Sequence, residues 1–240
     1  MAKKSDNGMF WVSFSDLMTS LFFIVLVLFV ITFISQQKQV VDLKKKLEVY
    51  DMVERNVKPL KENSNLFKYE EEYKRFVLSF DVKYNLAKYQ VTNEGIVDFN
   101  TTSTKIKKAG LELKKIIDQL EEEKRNNPSL QKVSYIVIIS GYASKLLKPE
   151  LDKDYELSYL RALNLWKFWL VNGINFEDAK YDGLIDLQIS GNGWGGVGRY
   201  NYTIENMNDE DQITEFYKTE SKNQRFIIQI VPKISNTDNE

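Results

Sequence analysis

The stretch from about Met9 to Ile34 constrains this chain more than any other. Leu21–Ile31 is apolar without a break, Phe33 and Ile34 extend it, and Met9-Phe10-Trp11-Val12 leads into it. About 24 residues rising about 1.5 Å each give roughly 36 Å, more than the hydrocarbon core of a bilayer. A secretory leader is the competing reading, but its apolar core is only about 7–15 residues long and ends at small residues. Here the run is longer, carries Trp11 at its edge and passes into Gln36-Gln37-Lys38-Gln39. An uncleaved transmembrane helix is therefore expected over residues 9–35, after a short N-terminal segment, 1–8.

Asp16 lies inside this helix. An ionised carboxylate near the centre of a lone membrane helix costs about 2.5–3.5 kcal/mol even on the lenient insertion scale. Ser13, Asp16 and Ser20 fall at i, i+3 and i+7 with Thr19 beside them, so one stripe is polar while the rest suits lipid. That stripe must meet protein, water or an ion. Snorkelling of Asp16 to the headgroups is the bland alternative, weakened by the short reach of an aspartate. Asp16 is the candidate ion carrier, with Ser13, Thr19 and Ser20 supporting its pathway. A proton is the favoured ion and sodium the alternative, because nothing else in the stripe supplies a cage.

Composition removes most other chemistry. The chain has no Cys and no His, which excludes thiolate catalysis, disulfides, Cys/His zinc sites and any imidazole base. No enzyme, no catalytic residue, no metal and no resident cofactor are expected. Lys and Arg total 33 against 34 Asp and Glu, so the near balance gives no electrostatic case for nucleic acid. Length leaves room for one domain of about 150 residues behind the membrane helix.

After the membrane helix, Val40, Leu43, Leu47, Tyr50 and Val57 keep an a/d rhythm broken by Glu54. Two readings stand: a short parallel coiled coil, or one amphipathic helix packed on its own domain. Pro59 is expected to end or kink the helix, Lys61–Asn65 to form a hinge, and Leu66–Leu78 a second helix. Residues 36–78 are thus read as a helical linker.

From Ser79 onward, strands and helices alternate. Tyr84–Val97 reads as strand, turn at Asn93-Glu94-Gly95, and strand. Helices are expected over Ser103–Arg125 and Asp152–Asn172, and strands over Val133–Ser140, Leu184–Ser190 and Phe226–Pro232. The pattern predicts an α/β (α+β two-layer) sandwich with helices on one face of a mixed sheet, over 79–233, then a disordered tail, 234–240. Gly191-Asn192-Gly193-Trp194-Gly195-Gly196 matches the dinucleotide pattern GxGxxG, but no helix is expected after it, so it reads as a turn. Asn201–Lys222 reads as an insertion with a short helix near Gln212–Lys218 and no legible role.

Gly141-Tyr142 after a β run, Leu157-Ser158-x-x-Arg161-Ala162 on the next helix, Gly173-Ile174, Gly191-x-Gly193 and Asn223-x-Arg225 resemble, in order and spacing, the OmpA-like peptidoglycan-binding domain. Gly95-Ile96-Val97-Asp98-Phe99 is similar to the start of that domain. Trp11-Val12-Ser13-Phe14-Ser15-Asp16-Leu17-Met18 resembles the ion-carrying helix of MotB-like stator subunits, and the compact length looks most like those of Zorya anti-phage defence complexes. The resemblance implies a homodimer inside a ring of a MotA-like (ZorA-type) multi-pass subunit, in a five-to-two complex anchored to peptidoglycan. It also implies a bacterial inner-membrane location, with the N-terminus in the cytoplasm and the large domain in the periplasm. Lys38 and Lys44–Lys46, counted as loop charges, argue the opposite orientation, but a long C-terminal domain weakens that rule. For the wall contact the family implies Arg161 on a ligand carboxylate, with Leu157 beside it. The family's acidic amine partner aligns with Ser144, which leaves Asp152 or Asp154 as substitutes. A local pairing of Arg161 with a helix carboxylate is the alternative.

Overall fold

The computed structural model describes residues 6–62, 65–85, 87–147 and 151–234. They fall into two compact units, Met1–Glu48 and Val49–Glu240. The first is the main part of helix α1 (Asp6–Glu62), which runs unbroken through the apolar stretch. One helical span, Trp11–Met52, is long and apolar enough to cross a membrane, and none of its most apolar window is buried by protein. Thr19 and Thr32 turn their hydroxyls onto their own helix, donating to the carbonyls of Ser15 at 2.7 Å and Leu28 at 2.9 Å. Such back-bonding lets a hydroxyl sit in an apolar helix without an orphaned donor.

The end of α1 belongs to the second unit. Val49 and Met52 are buried in its core, at i and i+3, whereas Val40, Leu43, Leu47 and Tyr50 remain about half exposed. The a/d seam and the packed edge are therefore different faces of one helix. The helix also continues through Pro59 to Glu62, which corrects the expected stop. A proline removes one i→i−4 bond, and the helix closes within a turn of it.

Leu66–Leu78 is not a helix. It forms an antiparallel hairpin of β1 (Phe67–Glu70) and β2 (Arg75–Leu78), with a 3-10 turn between them closed by Lys74 in the left-handed region. Phe67 and Phe76 bury their rings edge to face, and Glu70 meets Arg75 at 2.7 Å across the hairpin. Period two, with a charged turn, wins over a helical reading once β2 pairs with β5 (Phe226–Ile234). The α/β unit thus takes in residues assigned above to the linker. Tyr84–Val97 is likewise looser than expected: a single antiparallel bridge, Tyr84 to Ile96, with the turn at Asn93–Gly95 in place.

The remaining elements follow the expected order: α2 (Phe99–Asn126), β3 (Val133–Gly141), α3 (Leu151–Val171), β4 (Ile185–Gly191) and α4 (Glu210–Ser221). The sheet order is β1-β2-β5-β3-β4, parallel only between β3 and β4. Along β3, Val133, Tyr135, Val137 and Ile139 alternate into the core under α2 and α3, and the residues between them are half-buried. Trp169 on α3 is fully buried and donates its indole N–H to the Ile106 carbonyl on α2 at 2.8 Å, fixing the two helices side by side. The expected two-layer architecture, behind one long apolar helix, is what the chain forms. The last six residues, 235–240, lie outside the described ones.

Glycine decides how closely α3 approaches the sheet. Gly141 and Gly191 pair across β3 and β4. A Cβ on Gly141 would sit 2.1 Å from the Ser158 carbonyl oxygen, and one on Gly191 would sit 2.4 Å from the Tyr159 nitrogen. Only glycine leaves room for the helix backbone there.

Candidate functional site

In the first unit, the helix keeps Ser13, Asp16 and Ser20 on one face, with Thr19 next to them and no break in the backbone. Trp11 and Phe14 meet edge to face at 6.3 Å on the turn before Asp16. All of these residues are exposed on the isolated chain. The Thr19 hydroxyl is engaged by the Ser15 carbonyl as a donor, which leaves its oxygen free to act as an acceptor.

In the second unit, the close approach of α3 to the ends of β3 and β4 sets up a pocket of about 610 Å³. One wall is α3, with Asp154, Leu157 and Arg161. The second is the segment after β3, with Ala143 and Ser144, and the third is the loop from Tyr84 to Tyr89. All four residues expected at a wall contact, Arg161, Asp154, Leu157 and Ser144, therefore line one cavity. Asp152, the other substitute considered, is exposed and is not among the lining residues.

Arg161 is the centre of this pocket. It is only 4% exposed. Its Nε donates to the Lys88 carbonyl at 3.2 Å, and its guanidinium stacks 4.5 Å over the Tyr84 ring. Nη1 is buried and has no acceptor among the described residues. Burial pulls the guanidinium down to about 10, and the nearby charges of Tyr84 and Asp154 oppose that fall. It therefore stays a cation at neutral pH. A buried cation whose Nη1 lacks a protein acceptor favours an anion entering the cavity, and the planar fork suits a carboxylate. Burial also pushes the Tyr84 hydroxyl well above the usual phenol range, so Tyr84 acts as a neutral platform.

Asp154 is buried two turns before Arg161, and its negative charge supports the cation. Ser144 presents a hydroxyl that accepts from the Gln224 amide at 3.1 Å. Where the resemblance calls for a carboxylate, the pocket has this neutral pair.

Sequence reasoning missed Tyr84, the Lys88 carbonyl and Ala87. Ala87 lies on the pocket rim with φ 55, a left-handed conformation unusual for a residue with a Cβ. A tyrosine in an expected strand gave no sign that it would lie under a guanidinium 77 residues later. Gln224 was in view, as the unnamed residue of Asn223-x-Arg225. The flanking residues of that motif are structural. The Asn223 amide bonds the Tyr200 backbone at both its N–H and its carbonyl, while Arg225 donates to the Gly198 carbonyl at 2.6 Å and meets Glu70 at 3.3 Å. The glycine-rich segment after β4 is loop, with no helix following, as expected for a turn rather than a dinucleotide site.

No protein-family model and no curated protein matches the sequence. Several solved structures are similar at low identity. A MotB-like protein from Desulfovibrio vulgaris aligns at 13% identity and TM-score 0.35, over 81% of this chain and 94% of that one. The periplasmic domain of Helicobacter pylori MotB (residues 97-256) aligns at 17% and 0.31, over 70% and 89%. The OmpA-like domain of FopA1 from Francisella tularensis aligns at 20% and 0.32, over 68% and 77%. The architecture given above rests on strand order, register and packing, and not on these likenesses.

Proposed function

We propose that this chain is a stator-type subunit: a single-pass membrane protein that carries an ion on Asp16 and holds the cell wall with its α/β domain. The observation that carries the reading is Asp16 on an unbroken, otherwise lipid-suited helix, in a stripe with Ser13, Thr19 and Ser20. A carboxylate there is costly unless a partner or ion compensates it. Two copies would sit within a ring of a MotA-like multi-pass partner, the N-terminus in the cytoplasm and the α/β domain in the periplasm. One charge falling through about 150 mV supplies roughly 3.5 kcal/mol, comparable with the cost of the bare carboxylate, so the coupling is energetically sound. In the wall-binding half, the Arg161 guanidinium lining the pocket takes a carboxylate of the peptidoglycan stem, with Leu157 and Asp154 beside it.

More particularly, the chain is the MotB-like subunit of a Zorya-type anti-phage defence complex, driven by protons. This rests on the Trp11–Met18 segment and the compact length. Neighbouring genes test it: a MotA-like gene beside a helicase or nuclease supports defence, and one among flagellar genes supports motility. The competing class is a passive wall tether, in which Asp16 only bonds a neighbouring helix. Asp16→Asn in the native host separates the two. A motor loses its output while expression and wall binding persist, whereas a tether is indifferent to the near-isosteric amide.

A further inference from the structure

The segment Asn201–Lys222 had no role legible in the sequence. In the structure it runs into α4, whose N-terminus is capped by the Asp209 carboxylate accepting from the Asp211 and Gln212 amides. Its far end delivers Glu220 to the back of the Arg161 pocket. Glu220 is 5% exposed. One of its oxygens accepts from the Lys145 backbone N–H at 2.7 Å and from Arg199 at 2.5 Å. The other arm of Arg199 donates to the Ala143 carbonyl at 3.0 Å, and Gln224 holds the Ser144 hydroxyl at 3.1 Å. Three consecutive residues of the segment after β3, of which Ala143 and Ser144 line the pocket, are thus each held by a side chain from the stretch between Arg199 and Gln224. The segment leaves β3 at Gly141 and has no regular secondary structure of its own up to Leu147.

We infer that Glu220 and Arg199 are positioning residues for the ligand pocket: the insertion is a brace that fixes the Ala143–Lys145 wall at the distance from Arg161 which its ligand requires. The inference rests on the wall-binding reading of that pocket. Buried ion pairs contribute little net stability compared with apolar packing but fix geometry, and a wall displaced by a fraction of an ångström weakens a directional contact. The ligand class follows from the braced surface, which offers the neutral Ser144–Gln224 pair opposite Arg161. It suits a stem-peptide carboxylate whose neighbouring group is an uncharged hydrogen-bonding one, such as an amide.

The test uses the full chain in detergent with purified peptidoglycan sacculi as probe, read by co-sedimentation, alongside hydrogen exchange of the 143–146 segment. Glu220→Gln and Arg199→Lys are each expected to weaken binding on the order of ten-fold and to speed exchange at 143–146 while β3 stays protected. Ile117→Val, buried on α2 away from the pocket, serves as a destabilised control that leaves binding unchanged. If Arg161→Ala abolishes binding but both brace variants bind as the control does, the brace is refuted and the pocket reading stands. If Arg161→Ala binds as wild type, the pocket reading falls and the brace with it.

Discussion

Replacing Arg161 by alanine separates binding from folding, because its bonds divide between protein and cavity. Toward the protein it makes one bond, to the Lys88 carbonyl, and stacks on Tyr84. Losing these, with the cation's charge beside buried Asp154, costs about 1–3 kcal/mol, and removing a cation that burial already disfavours offsets part of it. The folded state should therefore survive with a melting point a few degrees lower. Toward the cavity, the guanidinium lines the pocket, and its bond to the Lys88 carbonyl uses only Nε of the five N–H donors. A hydrogen bond to a charged group is worth about 1.5–3 kcal/mol, so wall affinity should fall roughly ten- to hundred-fold. Arg161→Lys keeps the charge but loses the fork and should lie between the two. The assay is titrated co-sedimentation of the full chain with purified sacculi, with a melt of each variant in parallel. In the wild type the same binding should hold at neutral pH and weaken only above about pH 10, the value to which burial draws the guanidinium. A folded Arg161→Ala chain that sediments like wild type would refute the assignment.

Two further outcomes concern the scaffold. Burial pushes the Asp118 carboxyl up, but bonds from Lys180, Tyr181 and Lys114 outweigh it and hold the group below the ordinary carboxylate range. Its contribution is therefore complete above the unfolded value of about 3.9 and disappears as pH falls through the folded one. Asp118→Asn should lower the stability at neutral pH, by no more than about 1 kcal/mol for a group 42% exposed, and match wild type in strong acid. An equal deficit at both pH values contradicts this. Gly141→Ala should cost about 1–3 kcal/mol or more, since its Cβ meets the Ser158 carbonyl at 2.1 Å and only backbone could yield. A melting point unchanged by that substitution would mean that α3 is not held where it is described.

Much of this molecule can be read from its sequence because the signals are local. The apolar run and the alternating Val133–Gly141 strand each carry their reason within a few residues. Arg161 was singled out by a compact motif, Leu157-Ser158-x-x-Arg161-Ala162, through its resemblance to the OmpA-like domain. Leu66–Leu78 was misread because Lys68, Glu70, Glu71, Glu72, Lys74 and Arg75 crowd the segment with charge and blur its alternation. Its strand character is settled by Phe76 and Val77 pairing with Ile228 and Ile227, some 150 residues away, a contact that no local window contains. The pocket shows the same division. Its helix wall was visible, whereas Tyr84 beneath the guanidinium and Glu220 behind the opposite wall reach the pocket through partners 77 and 75 positions distant.

The central claim is that one carboxylate in the membrane helix carries an ion. It is tested most directly by ion uptake into membrane vesicles from cells expressing the chain with its native genomic neighbours. Wild-type vesicles should conduct protons, and Asp16→Asn vesicles, matched for protein level and sacculus binding, should not. Equal uptake by the two would contradict the account and leave a membrane-anchored domain without an ion pathway at Asp16.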